Sequence, residues 1–473
     1  MHCHPTHSSP TMKITLASLV LALAPAALAR VGPGEFIVEG GMNFIGRVDP
    51  VVSPGRVSDH VHTVFGASNF REVLNTPAEQ ARAECTSATV SADMSHYWAP
   101  TLYYIHDNGS FSALEGTPRA YYHITSNNVK PFPRGLRMVS GTAMTRDLTA
   151  HRSLGVRLGC WGNRQKILPN AGAGWTWSTC GNGKVELSVT FPSCGRADRA
   201  LDSPNHFDHM AWPVDSLRRN VINTLQGDSC PPSHPIQYPI LDLVYSYSFD
   251  AARPWRAGRD NVVLSNGDLH GGSYHADFVS GWDETVLAAA IKDCPAKGPH
   301  LDQCSLRNHF IPDRKSYDPR RWPTGTGGQC AHAGQIPAEE VGLAFPITSL
   351  PGCNPLWRPG VATKPTCGSQ PTIGFVSPNA WKGGSTANVP LYMPTNVGLF
   401  NNVRDPINNW RAKFNRWGTM GVNYKNVMMP PHTPPANPYD SFIWLPADTN
   451  VQRASTVKNM QDKTAWRGMF PGQ

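Results

Sequence analysis

The sequence predicts a mostly β protein: an antiparallel β-sandwich or jelly-roll-like domain with a few helices, stapled by disulfides and followed by an irregular C-terminal appendage. Three observations predict it. Short runs of β-branched and aromatic residues, bounded by turn residues, follow one another without alternating helical crossovers, as in antiparallel sheets rather than a parallel α/β fold. Glycine (42) and proline (43) are abundant among 473 residues, which supplies turns and argues against a helical bundle. Finally, eleven cysteines become ten once an N-terminal leader bearing Cys3 is set aside, an even set that fits five disulfides.

In chain order, the strand-like runs are Phe36 to Glu39, Ala120 to Thr125, Leu136 to Ser140, Lys184 to Phe191, Ile240 to Phe249 and Asn261 to Ser265. One helix stands out. Asp283 caps Glu284 to Cys294, in which Val286, Leu287, Ala290, Ile291 and Cys294 recur at helical spacing. A second helical pattern covers Val214 to Leu225.

Lys13 followed by an apolar run from Ile14 to Leu28 and ending in Ala27-Leu28-Ala29 reads as a secretory signal. Residues 1–29 are therefore expected to be an upstream extension with signal peptide, 30–367 a β-rich domain, and 368–473 a basic cysteine-free region. Elsewhere no apolar run is long enough for a membrane span, so the expected product is secreted and extracellular. That compartment suits disulfides among Cys85, Cys160, Cys180, Cys194, Cys230, Cys294, Cys304, Cys330, Cys353 and Cys367, whose pairing the sequence does not reveal. No Cys-x-x-Cys pair is present, against a zinc ribbon or thioredoxin-like site. Asn108-Gly109-Ser110 is a glycosylation sequon, which makes the chain a candidate glycoprotein.

The formal net charge is +8, and residues 368–473 hold ten Lys or Arg against four Asp. Such a region could face an acidic polysaccharide or a wall surface. Because the basic residues are scattered rather than clustered, nucleic acid is not an expected partner.

Common catalytic motifs are missing: there is no His-Glu-x-x-His, Walker loop, Gly-x-Ser-x-Gly elbow or dinucleotide-binding glycine fingerprint. What remains is three histidine clusters. Ser58-Asp59-His60-Val61-His62 reads as extended, so His60 and His62 share one strand face. Asn205 to Met210 contains His209. In Asp268-Leu269-His270-Gly271-Gly272-Ser273-Tyr274-His275-Ala276-Asp277, two His/Asp pairs at strand period flank a glycine turn. A carboxylate two residues from a histidine can fix its tautomer and raise its pKa for acid/base work. Alternatively, the imidazoles converge on zinc or copper, with aspartate as ligand or support.

These clusters, together with Cys230-Pro231-Pro232-Ser233-His234-Pro235, Gly281-Trp282-Asp283 and Leu350-Pro351-Gly352-Cys353-Asn354-Pro355, resemble the fungal secreted family DUF1996 over roughly Met42 to Asn354. The resemblance implies a secreted or cell-surface protein, since some members are fused to a cell-wall sugar-binding domain of the WSC type. No WSC-like cysteine pattern follows here. The expected function is a secreted carbohydrate-active or polysaccharide-binding protein with His60, His62, His209, His275 and Asp277 around one cleft. If it is an enzyme, a polysaccharide hydrolase or lyase is favoured. His60, His62 and His275 are the metal ligands in the alternative chemistry, and Trp212 and Trp282 the sugar-stacking faces. The second expectation is a non-catalytic extracellular protein that binds a metal ion or a cell-wall polymer.

Overall fold

The computed structural model describes most of residues 34–358 and residues 373–376; segments outside the description include 144–153, 167–183, 220–228, 295–303, 310–331 and 359–372, with everything before 34 and after 376. The leader, nearly all of the C-terminal region, and Cys85, Cys180, Cys330 and Cys367 therefore lie outside the described residues.

Two antiparallel sheets form a sandwich. The first runs, in spatial order, Gly34–Glu39, Thr117–Ile124, Ile240–Ser248, Lys184–Thr190, Val156–Cys160 and Asn163–Lys166. The second runs Met42–Gly46, His62–Gly66, His96–Pro100, His275–Val279 and Arg137–Gly141. Strand alternation sends Ala120, Tyr122, Leu187, Leu241, Leu243 and Tyr245 from the first sheet inward against Phe65, Tyr97, Ala99, Met138, Ala276 and Phe278 from the second. Polar contacts cross the same layer. Tyr245 donates its hydroxyl to the Thr63 carbonyl at 3.0 Å, and Ser140 to the Thr190 carbonyl at 2.7 Å. Tyr97 hydrogen-bonds both Tyr122 and the Asp93 carboxylate, and the Trp282 indole donates to Tyr122 at 2.8 Å.

The second sheet is covered on its other face as well. Phe44, Val64, Trp98, Val139 and Val279 pack there against Val48, Val51, Phe70 and Ile336, which come from loops and a short strand. The strand Ile336–Pro337 pairs with Phe375–Val376, so the first described residues of the C-terminal region dock on this layer. A buried ion pair fastens it further. Arg47 grips Glu339 through two bonds of 2.6 and 2.8 Å and donates to the Ser58 carbonyl at 3.0 Å.

All six sequence-predicted strands are present, with ends shifted by no more than three residues. The helix Glu284–Asp293 carries its expected cap, since Asp283 accepts from the amides of Thr285 and Val286. Only Val214–Arg219 of the second helical pattern falls within the described residues. Cys194 is bonded to Cys230 and Cys294 to Cys304, and Cys353 is also disulfide-bonded. No helix among the described residues is long and apolar enough to cross a membrane.

Candidate metal centre

The outer face of the second sheet carries the polar residues in rows. Phe44, Val64, Trp98, Asp277 and Val139 are successive register partners across all five strands. One step along, His62 pairs with Gly46 and Pro100, and His275 pairs with Gly141. His60 enters from the loop just before its strand. Three histidines 215 positions apart at the extremes thus meet: His60 Nε2 lies 3.1 Å from His275 Nε2, and one ring nitrogen from each of His60, His62 and His275 lies within 4.8 Å of the others.

Their tautomers are set by the backbone. His275 Nδ1 donates to the Ser273 carbonyl at 2.8 Å, and His62 Nδ1 donates to the Val48 carbonyl at 3.1 Å. A neutral imidazole that donates through Nδ1 presents a bare lone pair at Nε2, and this is the arrangement that orients metal-bound histidines. His62 Nε2 has no partner among the described residues. Burial also keeps the His62 and His275 rings neutral, because they are 0% and 5% exposed. It pushes the pKa of His62 down to about 3 and that of His275 down to about 4, the second helped by the nearby His62 ring.

Two carboxylates flank the histidines. Asp49 accepts from the amides of Val51 and Val52 at 3.0 and 2.9 Å. Burial raises its pKa, and those two amides partly oppose the rise. Asp277 is fully buried, and neither carboxyl oxygen has a partner among the described residues. Its pKa is pushed well above the ordinary range by burial and then by the charge of Asp49. The hydrogen-bonded His275–Asp277 pair that strand spacing suggested does not form, since both ring nitrogens of His275 point elsewhere. Asp268 likewise serves its own loop, accepting from the amides of His270 and Ser273.

His209 does not join the cluster. Its Nε2 donates to the Arg137 carbonyl at 2.6 Å and its Nδ1 meets the Ser203 hydroxyl at 3.0 Å. Arg137 starts the strand whose last residue, Gly141, pairs with His275, so His209 sits at the opposite end, about 13 Å away along four residues. Trp282 is fully buried in the main core, packed edge-on to Phe36 and Tyr122, and has no face for a sugar. Trp212 is half-buried beside Leu154 and Ile240. Sequence reading missed Asp49, because Val48-Asp49-Pro50 carries only the signature of a turn.

Residues 49–282 match the family model DUF1996, described as a domain of unknown function. This stretch, just under half of the chain, resembles a DUF1996 domain. It contains Asp49, His60, His62, His275 and Asp277, so the whole centre is built from the matched segment. No curated protein and no solved structure matches the chain. The loop Leu350 to Pro355, beyond the matched segment, holds the centre in place. Asn354 donates to the Asp59 carbonyl at 2.8 Å, and Gly352, at φ +80°, packs so closely that a Cβ would lie 2.1 Å from the same oxygen.

Proposed function

We propose that this DUF1996-like domain is an extracellular metal-binding module that holds one divalent zinc or copper ion on His60, His62 and His275. The observation that carries the proposal is the convergence of their ring nitrogens, with two Nδ1 atoms tied to backbone carbonyls so that two Nε2 lone pairs face a common point. Imidazole donors suit zinc and copper rather than calcium or magnesium. Acid/base catalysis is less well supported. A general acid or base works best with a pKa near the operating pH, whereas His62 and His275 are held at about 3 and about 4.

Binding without catalysis on a polymer is the better supported role, because among the described residues the three ligands are almost wholly covered, which keeps a polysaccharide chain from their nitrogens. Of the expected stacking residues only Trp212 keeps an accessible side for a wall polymer. Secretion belongs to the same proposal. It is supported by the leader-like residues 12–29, by two disulfides and by the exposed Asn108, which suits glycosylation.

The test is a titration of metal-free protein with zinc or copper against a chromophoric chelator. Wild type is expected to take up one equivalent, and His275→Ala to bind about a hundredfold more weakly or worse. Gly352→Ala, whose new methyl group must displace Asp59 and with it His60, is expected to keep the fold and lose about tenfold in affinity. Wild type that takes up neither metal, or a His275→Ala variant with unchanged affinity, would refute the proposal.

A further inference from the structure

We infer that Ser203 and His209 form a second site, a nucleophile with its base, which cleaves a carboxylic ester presented to the loop from Asp202 to His209. The inference is independent of the metal reading. The strand Arg137–Gly141 meets His209 at its first residue and pairs with His275 at its last, so the two sites lie at opposite ends of it.

The Arg137 carbonyl can only accept, so His209 Nε2 donates to it at 2.6 Å and the neutral ring is left with a bare lone pair at Nδ1. That lone pair faces the Ser203 hydroxyl at 3.0 Å, within the reach that a nucleophile and its base need. Burial lowers the pKa of His209, with the Arg137 carbonyl and the Asp202 charge partly opposing the fall, so the ring is a free base at neutral pH. His209 is buried, whereas Ser203 is half-buried and its neighbours Pro204 and Asn205 are exposed. A reactant therefore approaches the hydroxyl from the solvent side while the base stays covered.

The loop is held in shape. Pro204 and Asn205 are the central residues of a turn closed by the His206 amide on the Ser203 carbonyl at 2.8 Å, and Asn205 Oδ1 accepts from the amides of Phe207 and Asp208 at 3.1 and 3.0 Å. Asp202 ties the loop to the sheet, accepting from Arg137 at 2.8 Å and from His206 Nδ1 at 2.9 Å. His206 adopts φ +61°, a left-handed conformation uncommon for a residue with a Cβ and concentrated at functional sites. The Ser203 hydroxyl has one proton and two acceptors, His209 Nδ1 and, at 3.1 Å, Asn205 Oδ1. In the reaction Ser203 Oγ attacks the ester carbonyl carbon as its proton passes to His209 Nδ1; the adduct expels the alcohol, which takes that proton and leaves the acyl group on Ser203. Water then attacks the acyl group, giving a proton to His209, and the carboxylic acid departs as that proton returns to Ser203. The Arg137 carbonyl is the orienting third member, and such constellations are recognised by geometry rather than by a sequence elbow.

Full-length protein treated with a fluorophosphonate and assayed with p-nitrophenyl acetate tests this. The reagent, which loses fluoride to an activated serine, is expected to add one phosphonyl group to the peptide that contains Ser203 and to stop ester turnover. Ser203→Ala is expected to keep the wild-type unfolding midpoint and to lose both the label and the turnover, and His209→Gln to slow labelling about a hundredfold or more. A serine that only tied down the ring would not react with the reagent. Wild type left unlabelled at Ser203, ester turnover undiminished in Ser203→Ala, or a folded His209→Gln labelled at the wild-type rate overturns the site.

Discussion

Glu339→Ala is expected to destabilise the protein by about 3–5 kcal/mol, measured by denaturant unfolding at neutral pH. The cost arises from what is left behind. Arg47 and Glu339 are largely buried, with side chains 11% and 10% exposed, and the pair closes through two short bonds. Removing the carboxylate strands a guanidinium in a nearly dry layer, which costs far more than the pair itself contributes. Burial dominates at Glu339 too: it raises the carboxyl pKa, and the bonds to Arg47 only oppose the rise. The double variant Arg47→Met with Glu339→Leu should accordingly recover most of the loss. Because Arg47 also holds the Ser58 carbonyl, Glu339→Ala should weaken metal binding as well. A single variant within 1 kcal/mol of wild type would contradict the assignment.

His96→Leu is expected to gain stability relative to wild type as the pH falls, by about 3 kcal/mol between pH 7 and pH 4. His96 is 2% exposed, and neither ring nitrogen has a partner among the described residues. Burial, aided by the neighbouring His332, lowers its pKa to about 3. Above the unfolded-state value of about 6.5 both states are neutral and the residue has no pH effect. Below it the unfolded chain binds a proton that the folded chain refuses, so wild type loses about 1.4 kcal/mol per pH unit until the folded pKa is approached. Leucine cannot take up that proton. Other buried titrating groups are common to both proteins and cancel in the comparison. A stability difference that does not change with pH would show that His96 is not held neutral.

Four of the six strands of the first sheet were legible in the sequence, all but Val156–Cys160 and Asn163–Lys166, whereas the second sheet largely was not. Thr117–Ile124, Lys184–Thr190 and Ile240–Ser248 alternate apolar and polar residues or run through β-branched and aromatic ones, and the period-two pattern finds them. His62–Gly66, His96–Pro100 and His275–Val279 are buried on both faces, and the outer face carries His62, His96, His275 and Asp277. Those polar residues interrupt the apolar pattern, so the strands that build the centre are the ones that pattern reading overlooks. Of this sheet only Arg137–Gly141 was foreseen. The histidines themselves were legible as polar residues at strand spacing, but spacing does not distinguish the three that converge from His209, whose ring is satisfied by Arg137 and Ser203. That difference depends on which strand ends meet, and it is set by sheet register.

X-ray absorption at the zinc edge of the loaded full-length protein tests the central claim most directly. The account predicts three imidazole nitrogens and one further light-atom ligand at about 2.0–2.1 Å, with imidazole scattering lost in part on His275→Ala. Sulfur scattering at about 2.3 Å, or a shell of oxygen ligands without imidazole, would place the ion elsewhere and contradict it.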